Sequence, residues 1–387
     1  MTLPASPSAI SRRSVLMSLA AAPLALHSPV RAQDPQSIRI CQSTALSGPL
    51  GDLGQALLQG AQACFGAVNA QGGVHGRKID LVVLDDGYEV KRALANLDTF
   101  LADRATFALF NCFGTPIVTA MLPRVIEAGL PFFAPYTGAL VARPRNTRNV
   151  FNIRASYPDE AEQLVQHLAT IGIKRIGIAY QNNSFGKEVF DAARIAMEKH
   201  KLQGGDGAVA TVENSGADAA AAATKIVQAN PEAVLVGLAG KPTLDFVKAI
   251  RTQRRGMPLY ALSVMGSAAT LRALGDDGVG MAVSQVVPLP TSVVVPVVRQ
   301  FQQAWKATGT SLDLSHLALE GYINARVFVE ALSRAGRNLS RERFIDSMWN
   351  IKRHDLGGFE VNFSEPGRNA SRFVELTMVG REGRFIR

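Results

Sequence analysis

Short β-rich runs alternate with helical patterns along most of this chain, and this alternation limits the possible folds more than any other feature. Four runs predict strands: IRICQST (38–44), IDLVVLD (79–85), FALFNCF (107–113) and LPFFAP (130–135). Helical periodicity fills the intervals between them, near 54–70, 89–103 and 116–128. Strands that alternate with helices in this way favour a parallel sheet covered by helices on both faces.

The alternation is interrupted once and then resumes. NVFNIRAS (149–156) predicts an isolated strand, and Ser156 with Asp159 forms an S-x-x-D capping pattern that starts the next helix. A second strand series follows: RIGIAY (175–180), GAVATV (207–212), AVLVGL (233–238) and PLYALS (258–263). Three further helices are predicted near 292–308, 315–335 and 340–349, and the tail GGFEVNFSEPGRNASRFVELTMV (357–379) predicts a β-hairpin.

Two such series predict two lobes with a cleft between them. Without the first 32 residues the chain has about 355 residues, which is too long for one compact core. We predict an α/β fold of two Rossmann-like lobes with parallel sheets, joined by a three-crossing hinge near 151–156, 283–288 and 350–357. Lobe one would comprise 33–153 plus 288–350, and lobe two 154–287 plus 351–387. Ligands of parallel sheets bind outside the carboxyl ends of the strands, which here line the cleft.

The N-terminal segment has the pattern of an export signal. Paired arginines in SRRSVL precede an apolar run about half as long as the ~20 residues that a membrane span needs. Val30 and Ala32 form an A-x-A-like cleavage pattern. We therefore expect residues 1–32 to be a twin-arginine-like signal peptide that is cleaved near Ala32, and the protein to be periplasmic. An uncleaved membrane anchor is the alternative, and the sequence does not distinguish the two export routes.

A glycine-rich loop, TALSGPLGDLGQALLQGAQA (44–63), follows the first predicted strand and leads into a helix. Glycines at such a turn let a ligand approach the backbone, and a helix N-terminus favours negative charge. The loop has neither the G-x-G-x-x-G nor the G-K-[ST] of nucleotide sites, and an exported chain meets little nucleotide. We therefore expect a turn that lines a solute cleft, and no cofactor.

Several other classes of site lack support in the sequence. No residue spacing suits a metal site, and the net charge of +9 is not arranged as a basic stripe interleaved with aromatic residues, as nucleic-acid binding would require. Cys41, Cys64 and Cys112 each lie in an apolar stretch. Buried free thiols are the simpler interpretation, and a Cys41–Cys64 disulfide is the alternative.

Four stretches together carry a family resemblance: ALSGPLGDLGQALLQGAQ, NAQGGVHGRKIDLVVLDD, VFNIRAS and YQNNSFGKE. They resemble the first loop and helix, a helix-loop-strand unit, the first crossing and the first turn of lobe two in type I periplasmic binding proteins of the leucine/isoleucine/valine-binding group. The resemblance covers nearly the whole chain after residue 32. It implies a solute receptor that serves an ABC importer through the permease and ATPase subunits of that importer.

The resemblance implies binding residues at the strand ends of lobe one. Ser47 and Leu53 would face the cleft from the first loop. The residues that would hold a ligand carboxylate are Phe113, Gly114 and Thr115 in NCFGTP, and Tyr136, Thr137 and Gly138 in APYTGA. Independently of the family, Thr115 precedes Pro116 and is predicted to be a helix N-cap, whose neighbouring N–H groups suit an anion. A cap without a ligand, and plain packing for Tyr136, are the alternatives.

The resemblance also implies binding residues in lobe two. A family tyrosine falls on Phe185, which keeps the ring, and the turn LAGKP carries the next position at Gly240 or Lys241. Family members that bind amino acids place a glutamate in the turn that is here SVMGSAA (263–269), where no acid stands. A buried ammonium without a carboxylate is costly. We therefore expect a carboxylate or amide ligand without an α-ammonium group, with Met265 and the aromatic residues against its tail.

Three functions compete on this sequence. The first is a solute receptor for an ABC importer, and the second is a ligand-binding subunit of a periplasmic sensing system, which would use the same cleft. The third is an exported enzyme. The sequence has no G-x-S-x-G nucleophile elbow, and Asp85–Asp86 have no base-and-nucleophile pair beside them. We therefore expect a binding protein and no enzymatic activity.

Overall fold

The computed structural model describes residues 1–2, 37–203 and 208–386. By its internal contacts the chain divides into two units, Met1–Gln36 and Ser37–Arg387, and the fold below is that of the second unit. The predicted signal peptide and its cleavage near Ala32 lie, apart from the first two residues, outside the described residues. Among the described helices, none has both the length and the apolar character that crossing a membrane requires.

The first strand series forms a five-stranded parallel sheet, as the alternation predicts. Its strands are β1 (Ile38–Thr44), β2 (Ile79–Asp85), β3 (Thr106–Phe110), β4 (Phe132–Phe133) and β5 (Val150–Phe151). They lie in the order β2-β1-β3-β4-β5, and every pairing is parallel. The connecting helices are α1 (Gly51–Ala70), α2 (Val90–Ala102) and α3 (Thr115–Glu127). The carboxyl ends of the strands therefore share one edge.

The strand predicted over 149–156 as an isolated segment belongs instead to this sheet. β5 has two residues, and Val150 lies opposite Phe132 in parallel register with β4. Both residues of β5 are buried, Phe151 completely. The prediction was wrong because the apolar pair completes the core of the first lobe before the chain leaves it, and only 152–156 forms the crossing.

The second series begins with the predicted capping box. The Ser156 side chain accepts a hydrogen bond from the Asp159 backbone N–H, and the Asp159 carboxylate accepts one from the Ser156 N–H. The helices that follow are α4 (Tyr157–Thr170), α5 (Ser184–Lys199), α6 (Ala219–Gln228), α7 (Lys241–Gln253) and α8 (Ala268–Leu274). The strands are β6 (Ile176–Gln181), β7 (Val209–Val212), β8 (Ala233–Gly237), β9 (Leu259–Ala261) and β10 (Ala282–Gln285).

Three helices then return the chain to the first sheet, as predicted. They are α9 (Pro296–Ala307), α10 (His316–Ala335) and α11 (Arg341–Trp349). Phe328 of α10 meets the rings of Phe110 and Phe133 edge-on, with centroids 5.7 and 5.0 Å away. These rings belong to one buried apolar cluster that joins the first sheet to the three helices.

The tail does not form the hairpin predicted over 357–379. β12 (Glu360–Val361) pairs with the preceding β11 (His354–Asp355), whereas β13 (Glu375–Val379) adds antiparallel to β10 of the second sheet and pairs with β14 (Phe385–Ile386). The second sheet thus has the order β14-β13-β10-β9-β8-β6-β7, with two antiparallel strands at one edge. The two halves of the predicted hairpin separate because each finds a partner in a different lobe.

The predicted boundaries of the lobes remain a prediction, and packing supports one revision. Ile351, Val361 and Phe363 are buried in the cluster that holds the first sheet, although 351–387 was assigned to lobe two. Ser371 N–H donates to the Ile153 carbonyl, so the tail passes beside the first crossing. We infer that the third crossing lies near 370–374 and not at 350–357.

All three cysteines are buried free thiols, which agrees with the simpler of the two interpretations. Cys41 Sγ lies 3.4 Å from the Thr106 hydroxyl. Burial raises the pKa of the Cys64 and Cys112 thiols to about 12. Because thiolates are the reactive form, these two thiols are inert at neutral pH.

Candidate functional site

A small aromatic cavity lies where the strands of the first sheet end. Its lining residues are Leu50, Leu53, Tyr88, Phe113, Gly114, Thr115, Tyr136, Tyr157, Phe185, Ala239 and Val264. The residues of the first lobe follow β1, β2, β3 and β4. The others come from the second lobe. Six of them were predicted from the sequence: Leu53, Phe113, Gly114, Thr115, Tyr136 and Phe185. We call this space the aromatic cleft.

The aromatic cleft is nearly filled by its own side chains. Phe113 and Tyr136 stack with ring centroids 5.0 Å apart and an interplanar angle of 8°. From the other lobe, Phe185 meets Tyr157 edge-on at 5.4 Å. The remaining volume is about 20 Å³, room for about one water molecule. A solute can therefore enter only when the lobes move apart or the rings turn.

Gly114 fixes the geometry at the start of α3. Its φ is +95°, and a Cβ on it would lie 2.3 Å from the Tyr88 ring. The close packing of Tyr88 on the backbone therefore requires glycine here. Gly114 is also the N-cap residue of α3, so the prediction that Thr115 is the cap was wrong. The Thr115 hydroxyl turns across the cleft instead.

Thr115 and Thr137 form a pair of hydroxyls between the two predicted strand-end loops. Their Oγ1 atoms are 2.7 Å apart, and Thr137 Oγ1 also accepts from the Ala139 N–H at 3.1 Å. Burial raises the pKa of the neighbouring Tyr157, while hydrogen bonds to both threonines oppose the rise. Gly138 lies behind the pair against the Tyr157 ring. Thr137 and Gly138 thus support the wall without lining the cavity.

Ser47, Gly240 and Met265 do not line the aromatic cleft. The Ser47 hydroxyl donates to Asp85 at 2.6 Å, and so belongs to a loop network. Burial raises the pKa of Asp85, but hydrogen bonds from Ser47, two backbone N–H groups and Arg92 outweigh it and hold the pKa below its usual range. Gly240 is the N-cap of α7, and its N–H donates to the Met265 carbonyl at 2.9 Å.

A buried charge cluster lies directly behind the tyrosines. The guanidinium carbon of Arg154, on the first crossing, lies 4.8 Å from the centre of the Tyr136 ring. Arg154 pairs with Glu160 of α4 at 3.2 Å and with Glu320 of α10 at 3.7 Å, and all three side chains are almost completely buried. Glu160 also accepts hydrogen bonds from the Ser263 N–H and the Ser284 hydroxyl. One arginine thus joins the crossing, both lobes and the aromatic cleft.

The electrostatics of this cluster are set by burial. Burial raises the pKa of Glu320 to about 7, and the positive charge of Arg154 opposes the rise only in part. Burial disfavours the charged form of Arg154, yet the facing Glu320, Tyr136 and Glu160 raise its pKa above the usual value. Arg154 therefore stays charged at every relevant pH, whereas Glu320 titrates near neutrality.

An acid does approach the turn 263–269, which the sequence had indicated to be free of acids. Asp52 of α1 accepts hydrogen bonds from the hydroxyls of Ser267 and Thr270 at the start of α8. It reaches the turn from the other lobe, 215 residues away in sequence, so local sequence could not reveal it. Asp245 of α7 pairs with Lys241. Asp52 is occupied by two hydroxyls and does not line the aromatic cleft.

Sequence reasoning missed Tyr88, Tyr157 and Arg154. Tyr88 comes three residues after the end of β2 and has a φ of +64°, which is rare outside glycine. Its position after a strand end was a usable signal, because Phe113 and Tyr136, which the family resemblance identified, also follow strand ends. Arg154 belongs to the first crossing and Tyr157 is the first residue of α4; the sequence does not specify the direction of either side chain. Among the described residues, no group of three or more His, Cys, Asp or Glu side chains could hold a metal ion.

Comparison with known proteins gives a consistent family assignment. A family model described as periplasmic binding protein matches residues 37–384. A Leu/Ile/Val-binding protein homolog from Brucella melitensis is 25% identical over 193 residues, covering 50% of this chain and 52% of its own length. The first curated relatives are matched over about half of their own length or less, namely 52, 38 and 41%.

Two solved structures match this chain over almost its whole length. A substrate-binding periplasmic protein from Ralstonia solanacearum superposes with a TM-score of 0.85 at 32% identity, covering 90% of this chain and 99% of that one. A possible leucine/isoleucine/valine-binding protein from Rhodopirellula baltica also superposes with a TM-score of 0.85. It is 28% identical, and the match covers 92% of this chain and 97% of that one. The expected fold of two lobes with parallel sheets is thereby confirmed, with the antiparallel edge described above.

Proposed function

Because this chain belongs to the family of periplasmic binding proteins, whose members bind substrates and are not enzymes, we propose that it captures a small solute in the aromatic cleft and delivers it to an ABC importer. The observation that carries the proposal is the pairing of the Thr115 and Thr137 hydroxyls, 2.7 Å apart, in the two loops that also carry the stacked rings of Phe113 and Tyr136. Hydroxyls and helix-start N–H groups bind a polar head, and the rings bind an apolar body.

The proposed solute is a carboxylate or an amide without an α-ammonium group. The donors around Gly114–Thr115 and Thr137–Gly138 are neutral, which suits an anionic or amide head. The rings of Tyr88, Phe113 and Phe185 offer apolar surface to the rest of the molecule. Asp52 is engaged by two hydroxyls, and Glu160 by Arg154 and two further donors. Neither carboxylate is left to pair with a buried ammonium.

Calorimetric titration tests the charge of the solute. Leucine is compared with its keto acid and its hydroxy acid, and benzoate is compared with benzamide. We expect the deaminated acids to bind more tightly than leucine, because leucine would bury an ammonium without a partner. Tighter binding of leucine would contradict the proposed ligand class while leaving a solute receptor in place.

A second measurement tests the transport role. Cells that lack this chain should take up the solute identified by calorimetry more slowly than the parent strain, and uptake should return when the chain is supplied again. Unchanged uptake would contradict delivery to an importer, whatever the affinity of the isolated protein. Failure to bind any carboxylate, amide or amino acid would contradict the receptor itself.

A further inference from the structure

A second and much larger cavity lies on the other side of the turn 263–265. Its volume is about 600 Å³, within the usual range of small-molecule sites. Four segments distant in sequence form its walls: 263–272, 285–291, 313–317 and 382–385. Val264 lines the aromatic cleft, whereas Ser263 and Met265 line this second cavity. The turn therefore separates two spaces, and we call the larger one the tail cavity.

The walls of the tail cavity combine apolar with polar side chains. Its apolar lining residues include Met265, Leu271, Leu289, Pro290, Leu314 and Leu317. Phe385 of the C-terminal strand adds an aromatic ring, which His316 meets edge-on with centroids 4.9 Å apart. Such a lining binds the hydrocarbon part of a small molecule.

One buried polar atom in the wall lacks a hydrogen bond. Gln285 is 2% exposed and lines the tail cavity, and its Oε1 has no hydrogen-bond partner among the described residues. The amide orientation is determined by its neighbour. Thr377 donates its hydroxyl hydrogen to the Val283 carbonyl at 3.1 Å, and so accepts from Gln285 Nε2 at 3.3 Å. Oε1 is therefore the acceptor that is left over, and a buried acceptor that nothing satisfies destabilises the fold.

The charged side chains of the lining are paired with one another. Arg272 forms an ion pair with Asp313, and Arg384 forms one with Glu382. All four are more than half exposed at the rim. Neither an anion nor a cation thus finds an unpaired counter-charge among these four side chains. The chemistry of the walls fits a neutral molecule with an apolar body and a hydrogen-bond donor.

We propose that the tail cavity is a second ligand site, which binds a neutral amphipathic molecule through an N–H or O–H group donated to Gln285 Oε1 after a small shift of this side chain exposes the oxygen, which is covered in this structure. Primary amides and alcohols with a short hydrocarbon chain belong to this class. The site goes beyond the proposed function, since that function needs the aromatic cleft alone. It can be occupied while the aromatic cleft is closed, because the two volumes coexist in this structure.

The location gives such a ligand a mechanical effect. Residues 313–317 lead into α10, which packs with the first sheet, whereas 263–272 and 382–385 belong to the second lobe. A molecule in the tail cavity touches both lobes and holds them together. Its binding therefore stabilises the closed arrangement of the protein.

Calorimetry with three matched probes tests the proposal: hexanamide, methyl pentanoate and hexanoate. Hexanamide should bind and raise the temperature of thermal unfolding. The ester has no donor, and should bind at least roughly tenfold more weakly; the anion should bind more weakly still. Equal binding of amide and ester would overturn the assigned role of Gln285, and no binding of hexanamide would overturn the site.

Two pairs of variants locate the binding. Gln285→Met keeps the size of the side chain and should abolish the preference for amide over ester, whereas Gln166→Met on the exposed face of α4 should preserve it. Thr291→Trp narrows the mouth of the cavity at an exposed position and should weaken hexanamide binding, whereas Val293→Trp, outside the lining, should not. If the members of either pair behave alike, the site is refuted.

A crystal structure with hexanamide separates this proposal from the proposed function. Hexanamide nitrogen within hydrogen-bond distance of Gln285 Oε1 would support the second site. Hexanamide bound between Phe113 and Phe185 instead would refute the second site and support a receptor for amides. The two proposals therefore fail on different observations.

Discussion

At the scale of single residues, hydroxyls and buried charges determine what the aromatic cleft can do. Thr115 and Thr137 share a hydrogen bond across two loops, and Arg154 lies over Tyr136 while pairing with two glutamates. Each group is positioned by side chains from a different element. Substitutions here should therefore change binding and pH dependence more than they change the fold.

Thr115→Val tests the hydroxyl pair. The variant keeps the β-branched shape and removes one partner of the 2.7 Å hydrogen bond, so we expect a loss of about 1 kcal/mol in the free energy of unfolding. We also expect the affinity for the solute of the aromatic cleft to fall roughly tenfold, because charge-assisted hydrogen bonds are the stronger ones. Denaturant titration and calorimetry measure the two effects.

The control for this variant is Thr99→Val on the exposed face of α2, where the hydroxyl donates to the Ala95 carbonyl one turn earlier. It should leave affinity unchanged and stability within ~0.5 kcal/mol. A Thr115→Val protein with the full stability loss but wild-type affinity would show that the hydroxyl serves packing alone.

The raised pKa of Glu320 predicts that the stability of the protein depends on pH. Burial raises its pKa from 4.5 to about 7 in the folded protein, so the folded state binds more protons than the unfolded state between those values. The free energy of unfolding should therefore fall as the pH rises from 4.5 to 7, by up to ~3 kcal/mol. Urea titrations across this pH range measure the slope. Glu320→Gln should flatten it, and an unaltered slope in that variant would assign the effect to another group.

At the scale of elements, the close crossing of α1 and α10 fixes the first lobe. A Cβ at Gly60 of α1 would lie 1.8 Å from the Ala318 carbonyl oxygen of α10. The two backbones touch, so any side chain at this position must push the helices apart. Because α10 also carries Glu320 and leads out of the tail cavity, this contact affects both proposed sites.

Gly60→Ala should therefore destabilise the protein by about 1–3 kcal/mol through overpacking. Gly66 lies six residues later on the same helix, is exposed, and has nothing within 4 Å of an added Cβ. Gly66→Ala should be neutral or stabilising by up to ~1 kcal/mol, since alanine is the better helix former. Thermal and denaturant unfolding of the two variants give the comparison, and equal effects would mean that the helices can separate at little cost.

At the scale of the whole molecule, the proposed function requires the lobes to separate and close. The aromatic cleft leaves about 20 Å³ in this arrangement, so entry of a solute needs a more open state. Asp52 of the first lobe holds Ser267 and Thr270 of the second. These hydrogen bonds exist only when the lobes meet, and so they bias the equilibrium between open and closed forms.

Asp52→Asn should shift the protein toward the open form. The amide keeps the size of the side chain but loses the charge that strengthens both hydrogen bonds. The free energy of closing should therefore become less favourable by about 1–2 kcal/mol. Small-angle X-ray scattering should show a larger radius of gyration for this variant without ligand. Asp98→Asn, which alters an exposed ion pair with Arg124 inside the first lobe, is the control and should match the wild type. Identical scattering from both variants would contradict the closing role of Asp52.

The sequence by itself determined the alternation of strands and helices and the residues at several strand ends. The pattern of buried strands located the edge of the cleft, because the carboxyl ends of parallel strands meet at one edge. The family resemblance, and not the pattern, implied Leu53, Phe113, Thr115 and Tyr136 at that edge. The capping box at Ser156 was predictable because its two partners are three residues apart. Local rules suffice where the interacting groups are close in sequence.

Tertiary structure alone decided the contacts between distant segments. It brought Asp52 to Ser267, Arg154 to Glu320, and Gln285 to a cavity that is closed by the C-terminal strand. It also separated the predicted hairpin of the tail and turned Ser47 toward Asp85. The physical reason is that these partners are chosen by the packing of whole lobes, whose relative placement depends on the crossings and is not encoded in the pattern of any one segment.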